Sequence, residues 1–92
     1  MILEIVTPEA TLFHSEVDLV SVPGVNGEFQ MLNNHAPIVS SLMKGAVKIY
    51  GDVVIDEKYQ DRFTDGKDSG KWLAIESGTI EMNDNKIIIL VD

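Results

Sequence analysis

Turn-forming residues punctuate this chain roughly every 8–12 residues, and short apolar runs lie between them, a pattern that restricts the chain to an all-β sandwich or barrel. The first run, Ile2–Val6, alternates, with Leu3 and Ile5 on one face, and Thr7-Pro8-Glu9 ends it. Ala10–His14 reads as a second strand, with Leu12 on one face and Thr11 and Phe13 on the other. Glu16–Val22 reads as a third whose phase slips, which calls for a bulge near Leu19 or burial on both sides. Pro23-Gly24 and Asn26-Gly27 are turn chemistry, and Glu28–Leu32 follows as a strand with Phe29 and Met31 opposite Gln30. Asn33-Asn34 suits a two-residue hairpin loop, because Asn tolerates the left-handed region.

Ile38–Lys44 supports two readings. Pro37 before it, Ile38/Leu42 and Val39/Met43 at i, i+4, and Gly45 after it suit a helix of about two turns. Such a helix is too short to hold unaided, and its β-branched start favours a strand. Ala46–Tyr50 alternates with Val47 and Ile49 inward. Residues 51–70 are the most polar stretch, expected to form an extended arm followed by a loop. Lys71–Glu76, which carries the single Trp72, and Thr79–Met82 are strands separated by Ser77-Gly78. After the Asn83-Asp84-Asn85 turn, Ile87–Val91 is an unbroken apolar run, expected to be buried on both faces or nearly so. The whole is read as one domain over residues 1–92, a two-sheet sandwich or flattened barrel of short antiparallel strands without a helical hairpin.

The chemistry available is sparse. With no cysteine, there is neither a disulfide nor a thiolate metal site. His14 and His35 stand in no metal-ligand spacing, and no serine lies in a nucleophile elbow. The carboxylate pairs Asp56/Glu57, Asp61/Asp65 and Glu76/Glu81 are what the solvated faces of an acidic chain look like. Gly24 and Gly27 lead into no helix with a lysine, so no phosphate cradle is formed. A net charge of −8 and seven scattered Lys and Arg argue against nucleic acid or an anionic membrane as partners. No run is long enough to span a bilayer as a helix. The residues therefore point to a scaffold that presents loops to protein partners, with no catalytic, metal, nucleotide or cofactor site. A small acidic binding module or a metal-dependent β-barrel enzyme remain the alternatives.

Val22–Ile49 carries a more specific signal. Val22, Gly24, Gly27, Glu28, Leu32, His35, Ala36, Pro37, Ile38, Gly45, Val47 and Ile49 fall at the spacings of a pattern in the epsilon subunit of F-type rotary ATP synthases. Leu3–Glu9 and Glu76–Asp92 resemble that family's opening strand and its S-G-G ending, so the resemblance covers nearly the whole chain, Gly51–Gly70 least. The sequence departs from the pattern in Asn33-Asn34, where Pro-Gly is usual, and in Thr79, where the second Gly stands. The family commonly continues into two helices that bind ATP in some bacteria and can inhibit hydrolysis. This sequence stops at Asp92, so the resemblance implies no such regulation.

The resemblance implies a β-sandwich and a non-catalytic place in the central stalk. It further implies contact with the gamma subunit and with the polar loops of the membrane c-ring, so that rotation couples proton or sodium flow to ATP synthesis. The location implied is peripheral, on the cytoplasmic side of a bacterial inner membrane. Carried over by motif, Val25, Asn26, Gly27, Glu28, Phe29 and Gln30 would face the c-ring. Thr7, His35, Ala36, Pro37, Val39, Ser40 and Ser41 would face gamma. Residues 38–44 would then be extended. From the residues alone, Glu28 is a solvated strand-start acid, His35 a turn histidine bonded to local backbone, and Phe29 a core residue.

Overall fold

A computed structural model describes residues 1–92. Ten strands form: β1 (Ile2–Val6), β2 (Thr11–Glu16), β3 (Leu19–Gly24), β4 (Gly27–Leu32), β5 (Ile38–Leu42), β6 (Gly45–Tyr50), β7 (Phe63–Asp65), β8 (Lys71–Ile75), β9 (Gly78–Asn83) and β10 (Lys86–Val91). Their one hydrogen-bonded sheet runs β2-β1-β10-β9-β5-β3-β6-β8-β7, with β4 on β3. The sheet curls over at β3 into two packed layers. β3 pairs with β6 through Leu19–Ser21, touches β5 through Gly24 and Leu42, and pairs with β4 along its whole length. All pairs are antiparallel except β1 with β10, which is parallel.

Alternation decides what is inside. Leu3 and Ile5 of β1, Ile80 and Met82 of β9, and Ile87 and Ile89 of β10 are buried from one layer. Val20, Val22, Met31, Val47, Ile49 and Leu73 are buried from the other. Each such side chain contributes about 1.5–3 kcal/mol by leaving water. This single core holds the sandwich rigid enough to present its loops.

Ile38–Leu42 is a strand, as the resemblance implies, because its backbone completes a ladder with β9 that two isolated helical turns could not match. Other expectations change. Pro23-Gly24 belongs to β3, and the turn is the two residues after it. Pro23 lies where β3 passes from β6 to β5, a gap in the ladder in which a missing N–H costs nothing. Val17-Asp18 breaks what reads as one strand. Val17 N–H donates to Met1 O and Asp18 N–H to Tyr50 O, so the phase slip is a change of partner strand. Leu12 and Phe13 are both buried, where the register shifts beside Ile5/Val6. Asn33-Asn34 turns with Asn34 at φ 63, but the following strand pairs with β9, so it closes no hairpin.

Residues 51–70 form no hairpin arm. Gly51–Asp56 is irregular, a 3-10 helix spans Glu57–Arg62, and β7 follows. The Asp56 side chain accepts from Lys58 N–H at 2.9 Å and caps that helix, which stops the chain from continuing as an arm. β10 is not covered on both faces. Ile87, Ile89 and Val91 point inward, while Ile88 is half-buried and Leu90 is 51% exposed.

Candidate functional site

The β3–β4 hairpin projects at the end of the second layer. Gly24 and Gly27 are its closing pair, and Val25-Asn26 is the tip. Gly27 has φ 117, a conformation that L side chains rarely adopt. A Cβ on Gly24 would meet the Phe29 ring at 2.6 Å, so that ring lies over the hairpin base and packs against the core. Val25 is 56% exposed, and Asn26, Gly27, Glu28 and Gln30 are exposed with it. The six residues thus form one continuous projection, except that Phe29 serves as its anchor.

Glu28 is not a free carboxylate. It pairs with Pro23, and Lys48 pairs with Ser21, on opposite sides of β3 and with the same facing. The two side chains therefore reach across β3, and Lys48 Nζ stands 2.9 Å from Glu28 Oε2. Lys48 also lies over the Trp72 ring, 4.3 Å from its centroid, because Trp72 is its cross-strand neighbour on β8. The Glu28 hydrogen bond raises the Lys48 ammonium above its ordinary value, against the opposing effect of desolvation. Alongside, Tyr50 O–H donates to Asp68 Oδ2 at 2.8 Å. Two polar groups beneath this face, Ser21 Oγ and Trp72 Nε1, are buried without hydrogen-bond partners.

His35–Ser41 begins at the opposite end of β4, roughly 20 Å from the tip at ~3.3 Å per residue. His35, Ala36 and Pro37 are exposed. His35 Nδ1 lies 2.7 Å from Ala36 O, and since a carbonyl can only accept, the ring nitrogen donates. β5 then returns toward the hairpin. Ser40 lines a shallow groove with Gly24, Val25, Asn26, Gly27, Glu28 and Phe29, so the two sequence-assigned surfaces meet there.

Thr7 stands apart from the others. It is buried, its hydroxyl donates to Ala10 O at 3.1 Å, and it accepts from the N–H groups of Glu9 and Ala10. Three strand spacings, roughly 14 Å, separate its strand from β5. Its hydroxyl is fully used by the turn.

The residues alone leave two features unread. One is the Lys48–Trp72 support under Glu28. The other is the outer face of the first layer, where Val39 pairs with Glu81 and Glu81 with Ile88, and where Ser41 pairs with Thr79 and Thr79 with Leu90. Val39 is 78% exposed, and together with Leu90 and half-buried Ile88 and Val6 it gives that face an apolar character. The inward Val47 and Ile49 of β6 already put Lys48 outward, but its partners depend on strand register.

Chemically, the arrangement suits docking. No three His, Cys, Asp or Glu side chains are grouped to hold a metal ion. A groove of about 400 Å³ beside Val53, Ile55, Phe63 and Asp65 is open and shares no lining residue with either surface.

Comparison with known proteins gives the family of the chain. The family model described as ATP synthase, Delta/Epsilon chain, beta-sandwich domain matches residues 1–92. The ATP synthase epsilon chain of Chlorobium limicola is 34% identical over 90 residues, covering 98% of this chain and 86% of that one. The epsilon chain of Campylobacter fetus is 38% identical over 90 residues, but there the match covers 59% of the relative's length. Among solved structures, a chain of the Tetrahymena thermophila mitochondrial ATP synthase central stalk and c-ring superposes with a TM-score of 0.75. That match has 14% identity and covers 98% of this chain and 61% of that one, a likeness of fold. Matched from end to end by the family model and by an epsilon chain, this chain belongs to the ATP synthase delta/epsilon chain β-sandwich domain family.

Proposed function

We propose that this domain is a non-catalytic rotor element of an ion-driven ATP synthase, joining the gamma subunit to the polar loops of the c-ring so that torque passes between them. The observation that carries the reading is the hairpin Val25–Gln30, exposed at its tip and held by the Phe29 ring over Gly24 and the Glu28–Lys48 pair at its base. A stiff projection costs little ordering free energy when it docks. The c-ring contact is assigned to this hairpin.

The gamma contact is assigned to His35–Ser41 and extended across the outer face of the first layer to Ile88 and Leu90. An exposed apolar face with polar neighbours is what a protein partner covers. Thr7 supports that face through its turn. No helix of the chain is long and apolar enough to cross a membrane. In this reading the domain sits peripherally, at the cytoplasmic side of the inner membrane, held there by gamma and the c-ring.

The test is co-assembly. Val39→Lys and Leu90→Lys each put a charge where the reading places an apolar contact, at exposed side chains; Val39→Lys stands opposite Glu81, so the fold accepts both changes. Each is expected to weaken retention by gamma about tenfold or more, with an unchanged melting temperature. Wild-type affinity for gamma in both variants would refute the assignment.

A further inference from the structure

We propose that Lys48 is a positioning residue for the Glu28 carboxylate: clamped between that carboxylate and the Trp72 ring, it fixes the direction in which the hairpin presents its acid to a donor group of the c-ring loops. The proposal rests on the reading of Val25–Gln30 as the c-ring contact. Glu28 stands at the start of β4, one residue past a glycine at φ 117, where its long side chain has several rotamers open to it. The ion pair at 2.9 Å selects one of them.

Lys48 can do this because it is itself held. Its side chain is 22% exposed against 47% for Glu28, so the cation is the better packed partner. The Trp72 face 4.3 Å away stabilises the ammonium and keeps the aliphatic stem extended along the sheet. The pair engages Oε2 of Glu28. The Glu28 side chain remains 47% exposed, so one carboxylate can be gripped by its own domain while it accepts a hydrogen bond from a partner. Pre-orientation of this kind lowers the ordering cost of association rather than adding a contact.

The experiment uses the assembled complex of this chain with gamma, titrated with detergent-solubilised c-ring, with Trp72 fluorescence and thermal unfolding recorded in parallel. Glu28→Gln and Lys48→Gln are each expected to weaken the association about fivefold, with the double variant no weaker than either single. Lys48→Arg restores affinity, because a guanidinium can stack on Trp72 and bond the carboxylate. The exchange Glu28→Lys with Lys48→Glu keeps an intramolecular pair but gives up the cation over Trp72, and its association stays weak, since the acid no longer stands on the hairpin.

Two results overturn the proposal while leaving the hairpin reading intact. One is a normal association for Lys48→Gln alongside a weakened Glu28→Gln. The other is a loss in Lys48→Gln that follows its melting temperature and is not rescued by arginine. An unchanged association for Glu28→Gln refutes the hairpin contact itself.

Discussion

Replacing Gly78 with alanine should unsettle the sandwich more than any solvent-facing change. Gly78 starts β9 and is paired on both sides, with Val91 of β10 and Leu42 of β5. A Cβ built there would stand 2.5 Å from the carbonyl oxygen of Leu90. That atom is backbone within a ladder, so no side-chain rotation relieves the overlap. The rung must open by several tenths of an ångström, and the opening passes to the Leu42 end of β5, where the sheet turns into its second layer. Overpacking of a rigid site costs about 1–3 kcal/mol, and a backbone neighbour places this case in the upper half of that range. For a domain of this size, 2–3 kcal/mol lowers the melting temperature by roughly 10–20 °C. Calorimetry reads the shift, and amide exchange should accelerate at Leu42 and Val91. Gly27→Ala is the contrast: nothing lies within 4 Å of its Cβ, so its strain is conformational, and faster exchange should be confined to the hairpin. A Gly78→Ala domain melting within about 2 °C of wild type would refute the steric argument.

Two further outcomes are expected. Ser21→Ala removes a hydroxyl that is buried without a partner, so it should be neutral or stabilising by about 1 kcal/mol in chemical denaturation, and a clear loss would reveal a bond to that oxygen. The Tyr50–Asp68 bond joins a neutral phenol to a charged carboxylate. It raises Tyr50 above 10.0, and it lowers Asp68 below 3.8. Its stabilisation is therefore whole between those two values, is lost on the alkaline side as pH rises through the raised tyrosine, and on the acid side as pH falls through the lowered aspartate. In a Tyr59→Phe background, Asp68→Asn should move the tyrosinate absorbance midpoint downward, and an unmoved midpoint would show that the bond is not formed in solution.

The strands whose two faces differ were legible from their residues. β1, β6 and β9 read correctly because a charged residue, Glu4, Lys48 or Glu81, stands between two inward apolar side chains, so alternation fixes their facing. β10 misled because Ile88 and Leu90 are as apolar as Ile87 and Ile89, which hides the alternation that the structure keeps. The polar stretch read as an arm because its 3-10 helix carries no apolar period, and only the Asp56 cap marks its start. The hairpin was legible in its glycines, though its boundary moved two residues when Pro23 proved tolerable in a gap of the ladder. The support under Glu28 was not legible at all. Which cation meets an acid across an intervening strand depends on the registers of β4 and β6 against β3, and no local pattern encodes them. Resemblance to the family resolved Ile38–Leu42, where propensity and period were evenly opposed.

The parallel pairing of β1 with β10 also governs when this domain can become itself. β1 is the first of the ten strands to leave the ribosome, but the neighbour that covers its inner edge is the last of them to be made. At ~5–20 residues per second, β1 waits roughly 4–17 s beside β2 alone, with Leu3 and Ile5 lacking the other half of their core. Nothing in the earlier strands can close the first layer on their behalf. The nascent chain thus carries an uncovered, aggregation-prone edge from the synthesis of β1 until that of β10, and a chaperone or an already assembled partner has that interval in which to act.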